Sequence, residues 1–243
     1  LHREWNADTS YGYSNNGSLG RRETKKFDAS NRMTELLKET ITATGTWEGH
    51  EKELYVYDAN SNVTAWEAWY PSNQTTGLVP THKIEYRYNA SNQLEQSVTY
   101  ITDPSFSFKE TDRTTYTYAN GKVATMLYEN YTSGSWVGAF RVAYGYPTAL
   151  VIEEIGERSD NGAPWVLATK TTKTLDVGER ILTRITQVHN GTTWEDNEEE
   201  YNTYDANGNH LSNELKRWLG GVLTSEGNKE YSSQVLGQPS LNE

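Results

Sequence analysis

Polar and apolar residues alternate one by one along much of this chain. Lys83-Ile84-Glu85-Tyr86-Arg87-Tyr88 does so without a break, and so does Thr115-Tyr116-Thr117-Tyr118. A period of two sends successive side chains to opposite faces of a strand. The runs are rich in Thr, Tyr, Trp, Val and Ile, which suit a pleated surface. Between them lie Asp, Asn and Gly pieces, which accept a positive φ at low cost and turn hairpins. Helical stripes with caps are missing. Met33 to Thr42 has the composition of a helix, but its place in the pattern predicts a strand.

The pattern repeats. Its anchor is an aromatic or large apolar residue before a short turn: Phe27-Asp28, Tyr57-Asp58, Tyr88-Asn89, Tyr118-Ala119-Asn120-Gly121, Tyr146-Pro147, Leu175-Asp176 and Tyr204-Asp205. Successive anchors are 30, 31, 30, 28, 29 and 29 residues apart. Such a fixed period signals a repeat architecture. A second turn follows midway through most units, before a large apolar residue: Gly45-Thr46-Trp47, Gly77-Leu78, Gly134-Ser135-Trp136, Gly162 to Trp165, Gly191 to Trp194 and Gly221-Val222. The third unit has Phe106 and Phe108 there and lacks the glycine. Two turns per unit predict seven hairpins, about fourteen strands.

The units resemble the tyrosine–aspartate (YD) repeats of RHS-like bacterial surface and toxin-shell proteins. The likeness is carried by Tyr55-Val56-Tyr57-Asp58, Tyr86-Arg87-Tyr88-Asn89, Tyr116-Thr117-Tyr118 with Gly121, and Tyr201 to Asn209. It implies extracellular β-hairpin arrays, which in that family are tied to carbohydrate binding or to shells around a toxin. The chain is too short for such a shell.

The expected fold is therefore all-β. About seven two-stranded repeats form an antiparallel meander, curled into a flattened barrel or closed sheet. Strands lie about 4.8 Å apart, so a round fourteen-stranded barrel would be too wide for side chains to fill. Residues 1–22, rich in Asn, Ser and Gly, read as a loop or covering arm. Residues 23–231 read as one repeat domain, and 232–243 as a tail or linker. Apolar residues make up only 35% of the chain, but 17 Tyr and 8 Trp supply bulk. With no cysteine, neither disulfides nor thiolate metal sites arise. No cofactor or metal motif occurs. A net charge of −11 argues against nucleic acid as a partner. Outward charges such as Glu51, Glu67 and Lys83 argue against a lipid-facing barrel. Leu1 in place of Met, with no leader or membrane-spanning segment, reads as a mature protein secreted to the bacterial surface.

Two sets of residues carry candidate chemistry. If the Asp58–Asn62 turn pairs Tyr57 with Val63, Lys52 faces Ala68 and His50 faces Tyr70. His82 then also lies across from Ala68. His50, Lys52, Tyr70 and His82 would share one face with Trp66, Ile84, Tyr86 and Tyr88. Lysine could neutralise a sugar carboxylate while His or Tyr moves a proton, as a uronate lyase requires. A one-residue bulge would undo this placement, and the plainer reading of the same residues is polar side chains at a wet sheet end. Trp47, Trp136, Trp165 and Trp194 keep a strict repeat position and read as structural. Trp66, Trp69 and Trp218 depart from it and, with Tyr86, are the ligand candidates. The expected function is extracellular binding of a polysaccharide or other cell-surface glycan through aromatics. The alternatives are a polysaccharide lyase and a purely structural module.

Overall fold

The computed structural model describes residues 8–13 and 19–230. It contains sixteen antiparallel strands and, among the described residues, no helix. In chain order they are β1 (Asp8–Tyr13), β2 (Leu19–Phe27), β3 (Met33–Ile41), β4 (Trp47–Tyr57), β5 (Val63–Pro71), β6 (Leu78–Tyr88), β7 (Leu94–Thr102) and β8 (Phe108–Ala119). There follow β9 (Lys122–Thr132), β10 (Ser135–Thr148), β11 (Val151–Arg158), β12 (Val166–Leu175), β13 (Ile181–His189), β14 (Trp194–Tyr204), β15 (His210–Leu219) and β16 (Val222–Glu230). Each strand neighbours the next in sequence, and the order ends at β1 and β16, so strand pairing does not close the sheet into a barrel. The meander of hairpins is as the alternation predicts. Met33–Ile41 is a strand. The strand Asp8–Tyr13 and the first four residues of Leu19–Phe27 lie within the stretch read as loop or covering arm. The segment 232–243 lies outside the described residues.

The chain divides into two compact units, Leu1–Tyr116 with Tyr128–Val137, and Thr117–Leu127 with Gly138–Glu243. Within each, one device recurs at the turns. Asp58 Oδ1 accepts the backbone amides of Asn60 and Asn62, and the Asp58 amide donates to the Asn62 carbonyl. Ser61, fourth in the turn, has φ of 69°. Asp28, Asn89, Asp176 and Asp205 repeat the arrangement. Asp103 also does so, placing Phe106 at φ 59°. The third unit lacks a glycine at its second turn because it builds the first kind of turn there.

The anchor tyrosine joins units. Tyr57 donates its hydroxyl to the Met33 carbonyl at 2.7 Å, Tyr88 to Val63 at 3.0 Å, Tyr146 to Val123 at 2.9 Å and Tyr204 to Ile181 at 3.2 Å. The acceptor in every case opens or nearly opens a strand one repeat earlier.

No large side chain is fully buried among the described residues, and Ala68 and Val142 are the only buried apolar ones. Cross-strand rungs take the place of a deep core. Arg22 stands opposite Glu39, Lys52 opposite Trp69, Lys83 opposite Tyr100 and Arg141 opposite Glu157. At three places Arg pairs with a Glu and stacks on the next tryptophan. Arg22 lies 4.7 Å from the Trp47 ring centre, Arg113, paired with Glu129, 4.6 Å from Trp136, and Arg141 4.6 Å from Trp165. Where the partner is aromatic, Lys stacks on it directly, as Lys52 does on Trp69 at 3.9 Å. Trp165 also lies over Gly138, where a Cβ would come within 2.7 Å of its ring.

Candidate ligand-binding trough

The register around β4 and β5 differs from simple alternation by one residue. Tyr57 does pair with Val63, but a bulge follows and Val56 pairs with Ala65. Glu53, not Lys52, therefore faces Ala68, and Lys52 faces Trp69. The positive φ at Ser61 closes a three-residue loop between Asp58 and Asn62, and the extra residue of the bulge is Thr64. A second bulge sits at the far end of each hairpin, where His50 is the extra residue on β4 and Thr81 on β6.

These offsets separate the four candidate catalytic residues. Lys52 lies with Trp69, on the side opposite Trp66, because residues 66 and 69 differ by an odd number in an unbroken strand. Tyr70, two residues beyond Ala68, falls on the Trp66 side and is exposed. His82 faces Ala68 as expected, and its Nδ1 lies 3.1 Å from the Thr81 hydroxyl. His50 Nδ1 is buried with no hydrogen-bond partner. The single His–Lys–Tyr face does not form.

A different group does come together. Tyr55 on β4, Val63 and Trp66 on β5, and Ile84, Tyr86 and Tyr88 on β6 line an open trough of about 380 Å³. Tyr55 is opposite Trp66, which is opposite Ile84. Tyr55 Oη donates to Glu53 Oε2, and Trp66 Nε1 donates to the same oxygen at 3.0 Å. Tyr88 is fixed by its bond to Val63. Tyr86 alone of the lining tyrosines has a hydroxyl with no partner among the described residues. Burial pushes its pKa up, so it stays a neutral donor. Glu53 titrates below the usual carboxylate range. Burial, the largest influence, pushes it up, but the bonds from Tyr55 and Trp66 outweigh that.

Alternation places Trp66, Ile84, Tyr86 and Tyr88 together, as found. It misses Tyr55 and Glu53, which the bulge beside Tyr57 brings to this face. Trp69 donates Nε1 to Glu67 at 3.3 Å and carries Lys52 on its ring. Trp218 stands on β15 opposite Leu223. A second groove of about 470 Å³ is lined by Glu85, Arg87 and Gln96 among others. Its charges are already paired, Arg87 with Glu95 and Glu85 with Lys83. Among the described residues no cluster could hold a metal ion, and no helix could cross a membrane.

No family model matches the chain, and no curated protein does. Solved structures with a similar course include a porin-like protein from Bacteroides uniformis, at TM-score 0.43, 10% identity and 86% coverage of both chains. A protein of unknown function from Bacteroides fragilis matches at TM-score 0.41 and 10% identity, over 49% of this chain and 91% of that one. The structure of TcdB2-TccC3 matches at TM-score 0.28 and 10% identity, over 85% of this chain and 17% of that one.

Proposed function

We propose that this chain is an extracellular, YD-repeat-like binding module that holds a polysaccharide in the trough of Tyr55, Trp66, Tyr86 and Tyr88. The observation that carries this reading is the set of open aromatic faces gathered from three strands. Their hydrogen bonds to Glu53 and Val63 hold Tyr55, Trp66 and Tyr88 in place before any ligand arrives. Flat rings of this kind bury the apolar faces of sugars. The unpartnered Tyr86 hydroxyl supplies a polar contact, as small-molecule sites require. The YD-repeat reading draws support from the Tyr–Asp pair itself, since tyrosine joins units and aspartate closes the turn.

Retention on gels containing neutral, amino and acidic polysaccharides tests the proposal. Trp66→Ala is expected to weaken binding by about 2 kcal/mol, the contribution of burying a large side chain, or roughly thirtyfold. Trp69→Ala is expected to lower stability and leave retention in place, because Trp69 is part of a rung. Equal loss in both variants would remove the trough from consideration. Unsaturated products absorbing in the ultraviolet would instead make the chain a lyase.

A further inference from the structure

The surroundings of the trough favour one charge of ligand. Tyr55 and Trp66 both donate to Glu53 Oε2. Lys38 bonds Glu51 at 2.9 Å and also feels Glu53 and Glu23. Glu51 and Glu53 thus share one ammonium, and Glu53, bonded to two of the lining residues, sets negative charge beside the trough. The rung cations nearest in sequence, Lys52 and Lys83, stack on Trp69 and Tyr100 instead.

The ring faces point the same way. Aromatic faces attract cations, and elsewhere the chain provides its own. Arg32 covers Tyr57 at 4.8 Å, Lys122 covers Tyr146 at 4.5 Å and Arg180 covers Tyr204 at 4.8 Å. Each comes from the turn one repeat earlier. The residue at that position for Tyr88 is Asn62, which bonds Asp58 at 2.9 Å and also donates to Asn92. Among the described residues no Lys or Arg lies over Tyr55, Trp66, Tyr86 or Tyr88. At Tyr88, beside the open trough, the cation that covers Tyr57, Tyr146 and Tyr204 is replaced by an amide.

We infer that the trough takes a sugar bearing a free, protonated amino group, a glucosamine-type unit of a polysaccharide, with its ammonium toward Glu53. This rests on the glycan-binding reading above. Uronates would meet the same carboxylates and be repelled.

The test titrates the whole chain with glucosamine oligomers, N-acetylglucosamine oligomers of equal length and galacturonate oligomers, by calorimetry at slightly acidic pH. Affinity is expected to fall in that order, and the amine's affinity to drop as salt screens the charges. Glu53→Gln is expected to weaken the amine about tenfold, as loss of a charge-assisted contact should, and to affect the acetylated oligomer less. Tighter binding of the acetylated or acidic oligomer, or no salt dependence in the unaltered protein, would overturn the amino-sugar inference while glycan binding stands. Binding of none of the three would remove both.

Discussion

A single carboxylate or amide oxygen closes six of the hairpins, and Asn89 shows that the turn itself needs no charge. The charge matters to pH. The Ser105 hydroxyl and then the Ser107 amide hold the Asp103 carboxyl down at about 2, against a usual 3.8. A depressed carboxyl adds stability above its unfolded pKa and loses it as pH falls through the folded value. Asp103→Asn should therefore be less stable than the parent at neutral pH, with the gap closing between pH about 4 and about 2. Urea midpoints across that range measure it, and a gap indifferent to pH would refute the linkage. Another single position invites change. At the far bulges Thr81 donates to the Ala68 carbonyl at 3.0 Å, Thr111 to Thr99 at 3.1 Å and Thr224 to Arg217 at 3.1 Å. His50 holds the same position on β4 with its Nδ1 unsatisfied. His50→Thr should let a hydroxyl reach the Lys38 carbonyl. A gain of about 1 kcal/mol is expected, the usual net contribution of one hydrogen bond, and lower denaturant midpoints would contradict it.

At the scale of the element, the rung decides how much each hairpin contributes. Glu129 is buried at 8% exposure, and Arg113 is its partner. Arg113→Ala leaves that carboxylate unpaired and uncovers Trp136, so a loss of about 2–3 kcal/mol is expected. Arg87→Ala removes a pair whose side chains are 64% and 43% exposed, and should cost less than about 0.5 kcal/mol. Similar losses from both would show that the rungs are ornament. Strands and the thirty-residue period were legible because alternation and the Tyr–Asp anchor are written residue by residue. The bulges were not, since an extra residue such as Thr64 or His50 looks like any other in the string. That is why Trp66, Ile84, Tyr86 and Tyr88 could be grouped from sequence while Lys52 fell on the wrong face. Residues 8–13 and 19–22 hid for another reason. Asn, Ser and Gly around them read as loop, whereas pairing along the sheet sets their conformation.

The whole molecule is a chain of nearest-neighbour contacts. Every strand pairs with its neighbours in sequence, and among the described residues the strands at either end of the order are held from one side only. Stability in such an array approximates a sum of unit and neighbour contributions, and damage should stay where it is made. Gly156 offers a sharp way to ask. It faces Thr169, and a Cβ there would lie 2.4 Å from the Thr169 hydroxyl and 2.8 Å from the Phe140 ring. Gly156→Ala must push both aside, at a cost of about 1–3 kcal/mol. Hydrogen exchange should then quicken in β10, β11 and β12, while β4, β5 and β6 keep their protection and the trough its affinity. Uniform loss across all sixteen strands would mean that the array unfolds as one cooperative body. In that case mutations anywhere in the chain would alter the occupancy of the trough, and the binding losses expected for Trp66→Ala and Glu53→Gln would have to be read against stability first.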